Sequence, residues 1–132
     1  MLKRTLLIGT AIAMLMVASL ACDASASSAS ISSAKLTSDS AGTAETTSFT
    51  SDQTFYLVVE LANAPSDTKV KAVWSSVDDA GVATQIIDKE VVGSGSPITF
   101  NASNSNPWPS GKYRVELYLN DKLDKTVDFS VQ

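Results

Sequence analysis

The sequence predicts an all-β fold, an antiparallel two-sheet sandwich of about seven strands, preceded by a signal-peptide helix and a flexible linker. Three observations carry this. From Ile31 onward apolar and polar residues alternate with a period of two, turn formers recur every ten residues or so, and no helical period of any length interrupts them. The chain divides accordingly into a signal segment over residues 1–21, a Ser/Ala-rich tether over 22–33 and a sandwich over 34–132.

The first element opens with Lys3 and Arg4, continues uncharged from Thr5 to Ala21 and closes on Ala18, Ser19, Leu20, Ala21 and Cys22, the only cysteine in the chain. A spanning helix wants about 20 apolar residues. This run is shorter, contains Gly9 and ends in small side chains, as signal segments do. Ser19 to Ala21 and Ala24 to Ala26 also offer the small residues that ordinary secretory cleavage reads, and an uncleaved anchor is a third alternative. A lone cysteine bound for an oxidising compartment has no internal disulfide partner. Small residues running into that cysteine resemble the bacterial lipobox, and the resemblance implies lipidation of Cys22 and a membrane-anchored, extracytoplasmic place in a bacterial cell envelope. Asp23 resembles the residue that retains lipoproteins at the inner membrane in enterobacteria-like sorting. Asp23 to Ser33 is almost wholly Ser and Ala, with too little apolar surface to offset its conformational entropy, and reads as a leash.

The strands follow in order. Gln53 to Ala62 sets Phe55, Leu57, Val59 and Leu61 on one face and Tyr56, Val58 and Glu60 on the other, apolar enough on both for a central strand. Asn63 to Asp67 is a loop, after which Val70, Ala72 and Trp74 alternate with Lys69, Lys71 and Val73. Asp78 to Gly81 makes a hairpin turn, and the less regular Thr84 to Val92 belongs at an edge. Ile98, Phe100 and Ala102 form a short strand after Pro97. Tyr113, Val115, Leu117 and Leu119 then alternate with Lys112, Arg114, Glu116 and Tyr118. Asn120 and Asp121 turn the chain, and Leu123, Val127, Phe129 and Val131 return it with one dry face. Lys125 falls on the inward parity, which calls for a bulge nearby or an edge position.

Trp74 on the third strand and Ser110 to Val115 entering the sixth resemble immunoglobulin-like and fibronectin type III-like domains. In those a core Trp packs between the sheets and a Tyr bonds back to the preceding corner. The resemblance gives Trp74 and Tyr113 those structural roles. Val115 stands where antibody-type domains carry their second cysteine, so that disulfide is missing. Trp108 to Tyr113, with Phe129 and Val131, is similar to Ig-like domains of bacterial lipoproteins of uncharacterised function. The likeness bears on fold and is nearly silent on activity.

Composition narrows the function classes. The formal charge of −4 becomes −6 once Lys3 and Arg4 leave with the signal segment. An acidic surface without an Arg cluster disfavours nucleic acid and electrostatic binding to anionic lipid, leaving the acyl chains at Cys22 as the membrane contact. The chain has no His, which removes the commonest general base and nitrogen metal ligand. Asp78 with Asp79, and Asp88 with Glu90, read as solvated turn and edge charges, and the two turn aspartates alone do not make a calcium site. Asn101, Ala102 and Ser103 match a glycosylation pattern by chance. No cofactor and no metal is implied. Among the aromatics, Trp108 lies between Pro107 and Pro109 and either caps the sandwich, the favoured reading, or offers a flat surface to a partner. Tyr56 and Tyr118 point away from their core neighbours and complete the candidate binding surface. The expectation is a lipid-anchored, non-catalytic binding or structural module with a protein partner in the envelope. The alternative is a secreted or periplasmic inhibitor or chaperone-like protein that engages a client through loops or an edge strand.

Overall fold

A computed structural model describes residues 29–132 of the chain. The signal segment, Cys22 and Asp23 lie outside the described residues. Among the described residues there are eight strands: β1 (Ser30–Thr37), β2 (Ser48–Phe49), β3 (Phe55–Ala62), β4 (Lys69–Val77), β5 (Ala83–Val92), β6 (Ile98–Ala102), β7 (Gly111–Leu119) and β8 (Lys122–Val131). They form two sheets, ordered β1-β3-β6 and β2-β8-β7-β4-β5. Two departures from the expectation stand out. β1 begins at Ser30, inside the segment read as tether, because Ile31 is buried and pairs with Leu61 of β3. β2 is parallel to β8, so one pairing in an otherwise antiparallel sandwich runs the other way.

The period-two faces are where the alternation put them. Phe55, Leu57 and Val59 of β3 face Val70, Ala72 and Trp74 of β4 and Tyr113, Val115 and Leu117 of β7, all nearly inaccessible. β3 is central in its sheet, as its two apolar faces predict. Its outward Val58 is buried as well, because the 38–47 loop folds over it. Gly42 takes φ +76°, and a Cβ added there would sit 3.0 Å from the Val58 Cγ2, so backbone and close approach both favour glycine. Asp39 ties that loop, accepting hydrogen bonds from the Thr43 and Ala44 amides and the Thr43 hydroxyl, which hold its carboxyl below the usual range.

Six aromatic side chains fill the half of the core remote from Ala29. Phe55 stands at their centre, with ring centroids 4.7 Å from Trp108, 4.8 Å from Phe49, 4.9 Å from Phe129, 5.9 Å from Tyr113 and 6.1 Å from Trp74. Such offset and edge-on pairs contribute about 0.5–1.5 kcal/mol each beyond their buried area. The Trp74 indole N–H is buried without a hydrogen-bond partner, so Trp74 is held by packing alone.

The β7–β8 hairpin turns through Asn120 and Asp121, both at positive φ (49° and 69°), the geometry of a two-residue type I′ turn. A register shift leaves Asp124 unpaired, and Lys125 lies opposite Leu117 on the inward side, half-buried, as its parity requires. The same bulge corrects the reading of Leu123. It faces Tyr118 on the outer side and is 53% exposed rather than joining the dry face.

Candidate functional site

Strand direction sorts the loops into two poles. Ala29 shares the first pole with the 63–68 loop and the Asn120–Asp121 turn, and together they line one hollow. The opposite pole carries the 50–54 loop, the Asp78–Gly81 turn, the 103–110 loop and the end of β8.

Trp108 closes that far pole. Its amide donates to the Ser51 carbonyl (2.8 Å), its indole Nε1–H donates to the Gln53 carbonyl (3.0 Å), and its ring stacks on Phe55. The prolines on either side hold the backbone extended, and the side chain is 6% exposed. It is the cap and offers no surface to a partner, which removes it from the candidate binding surface. Five residues on, the Tyr113 hydroxyl donates to the Pro109 carbonyl at 2.6 Å, the bond back to the corner that the resemblance implied. Burial pushes the Tyr113 phenol above its ordinary pKa. Between them Gly111 takes φ +144°, a conformation L side chains rarely adopt, with open space where a Cβ would be; backbone geometry alone demands glycine there.

The outward tyrosines do not meet. Tyr56 pairs with Thr37 and Asn101 on the outer side of the three-stranded sheet, and Tyr118 pairs with Lys71 and Leu123 on the outer side of the other. Both are half-buried, and the Lys71 ammonium lies 5.6 Å from the Tyr118 ring centre. A face shared by both, or by either with Trp108, is excluded. Each tyrosine covers its own sheet.

Among the described residues three hollows open at the far pole, two of them beside the 103–110 loop; the third, of about 530 Å³, lies between the Asp78–Gly81 turn, the start of β7 and the end of β8 and is lined by Asp78, Asp79, Lys112, Arg114, Asp128 and Ser130 among others. Its charges are unequally committed. Asp78 accepts from the Ala80 and Val82 amides and shapes the turn. Arg114 donates to Asp128 at 2.9 Å, which raises its pKa. Asp79 and Lys112 make no side-chain hydrogen bond or ion pair among the described residues. No group of three metal-ligating side chains gathers among the described residues. The alternation of the strands did not point to this hollow, because its lining comes from four segments separated in sequence.

Comparison with known proteins places the fold. The chain is similar to the crystal structure of an immunoglobulin-like protein from Pseudomonas aeruginosa, with a TM-score of 0.57 and 17% identity over 80% of this chain and 98% of that one. It is also similar to part of the alkylpurine DNA glycosylase AlkC of Pseudomonas fluorescens, solved bound to DNA containing an abasic site analogue, with a TM-score of 0.51 and 13% identity over 79% of this chain; the match spans 30% of the glycosylase. No family model matches the chain, and no curated protein is similar to it. The fold is an immunoglobulin-like β-sandwich, all-β and in two sheets.

Proposed function

We propose that this protein is a lipid-tethered module of a bacterial cell envelope, anchored through Cys22 and working without catalysis by holding a protein partner. The observation that carries the reading is the layout of the two ends. The residues that resemble a lipobox stop a few positions before Ala29, where the sandwich begins at one pole, while the open hollow with the uncommitted Asp79 and Lys112 lies at the other. The hollow lies at the pole opposite the one where the described chain begins. A rigid pole loses little conformational entropy on binding, and Trp108 and the Tyr113 corner make this one rigid.

The test is site-specific photo-crosslinking in the native envelope. A photoreactive residue replacing Asp79 is expected to trap a protein partner, and the same residue replacing Ser66, at the opposite pole, is expected to trap none. Adducts from Ser66 alone, or from neither position, contradict the reading.

A further inference from the structure

We infer that Lys89 and Lys125 guard the two open edges of the five-stranded sheet: each sets an ammonium on the inner face of an edge and keeps a further strand from joining there. Two long stretches of that sheet have a neighbour on one side only. β5 is its last strand, and β8 is flanked by β2 only at Ser130 and Val131, which leaves Lys122 to Phe129 open. Open stretches of this length are pairing templates unless something blunts them. On β5 composition adds to length, since Ile86, Val91 and Val92 are exposed, with Val82 just before them.

Both edges carry the same two features. One residue stands out of the ladder, Ile86 in β5 and Asp124 in β8, and such a bulge bends the strand away from the line a neighbour would follow. A lysine then takes the core's parity: Lys89 lies opposite Ala72 and Lys125 opposite Leu117, both of them fully buried. The two lysines are themselves half-buried. Among the described strands, charge on an inner-face position is confined to these two and to the exposed Lys122 at the hairpin end of β8. The inner positions of β1, β3, β4, β6 and β7 are uncharged, so inward charge occurs only where a sheet edge lies open.

A strand added at either edge would carry its own inner-face residue over the lysine and strip water from the ammonium, and burying an unpaired charge is costly. Lys89 also donates to Asn101 at 3.3 Å. Asn101 belongs to β6, an edge strand of the other sheet, so the lysine spans the open side between the sheets. The device closes the five-stranded sheet to a client strand and to a second copy alike, which leaves loops and faces for a partner to meet. It rests neither on lipid anchoring nor on the far-pole hollow.

The experiment is sedimentation velocity of the full chain in detergent over a range of concentrations, with far-ultraviolet circular dichroism to follow the fold. The parent, Lys89→Arg and Lys125→Arg keep both charges and are expected to stay monomeric. Lys89→Val and Lys125→Val each free one edge and are expected to form dimers, with the weight-average mass rising towards twofold. The doubly substituted chain has two free edges and is expected to grow into larger, open-ended assemblies. Lys71→Val makes the same change on the outer face of the central β4 and is expected to remain monomeric. The inference is overturned if either valine variant at an edge is as monomeric as the parent, if Lys71→Val associates as they do, or if the parent or an arginine variant is itself a dimer. Loss of the β-sheet signal in an edge valine variant also overturns it and assigns that lysine to stability.

Discussion

Replacing Trp108 by Ala isolates the cap that closes the far pole. The side chain is 6% exposed, stacks on Phe55 at 4.7 Å and meets Tyr113 edge-on at 6.2 Å, and its indole N–H satisfies the Gln53 carbonyl. Truncating a buried Trp costs about 3–5 kcal/mol. Because the cap sits at the end of the sandwich, where water can reach the vacated space and the freed carbonyl, Trp108→Ala belongs at about 3 kcal/mol and Trp74→Ala, between the sheets, nearer 5. Trp108→Phe keeps an aromatic ring on Phe55 and removes the hydrogen bond, a loss of about 1 kcal/mol. A domain of this size has about 5–15 kcal/mol in all, so Trp108→Ala stays measurable. Urea unfolding followed by far-ultraviolet circular dichroism reads each midpoint. If Trp108→Ala unfolds at the same urea concentration as the parent, the ring is not a cap and the argument for a rigid far pole fails.

Two further outcomes follow from hydrogen bonds at the opposite poles. Tyr113→Phe removes the bond to the Pro109 carbonyl and is expected to cost about 1 kcal/mol near neutral pH, read by denaturation midpoint. The phenol's pKa is raised on folding, so its contribution is full below the unfolded value of 10.0 and is lost as pH climbs through the folded value; the parent is expected to lose stability above pH 10, and Tyr113→Phe to lose less over the same window. At the other pole, Asn120 exchanges two bonds with Lys69, its amide donating to the Lys69 carbonyl and its Oδ1 accepting from the Lys69 amide, both at 2.9 Å. Asn120→Ala gives up the acceptor and places an Ala at φ 49°, a loss of about 1–2 kcal/mol, whereas Asn120→Gly relieves the backbone and is expected to fall between parent and Ala.

The fold was legible wherever one strand face is dry. β3, β4 and β7 declare themselves by alternation, and Trp74 and Tyr113 sit where that alternation and the immunoglobulin-like resemblance place them. Lys125 on an inward parity called for a bulge nearby or an edge position, and a bulge falls at Asp124; the flip of Leu123 to the outer side follows only once the register is known. β2 was invisible because two residues carry no period and a parallel pairing leaves no turn signal; its Phe49 is nevertheless 1% exposed and touches Phe55 and Phe129. Serine and alanine hid the start of β1, where burial of Ile31 outweighs the propensity of its neighbours. Tyr56 and Tyr118 were rightly read as outward, but parity does not say to which sheet a strand belongs, and the two stand on opposite sides of the molecule. The far-pole hollow was illegible for the related reason that its lining is gathered by the pairing of β4 with β7 and of β7 with β8.

The claim that this sandwich works as a lipid-tethered module turns on what stands at the mature amino terminus. Intact mass spectrometry of the chain extracted by detergent from its native membranes measures that directly. The account predicts a chain beginning at Cys22 and heavier than its peptide mass by the acyl groups of a bacterial lipoprotein. A chain recovered without detergent that begins at another residue and carries no added mass contradicts it.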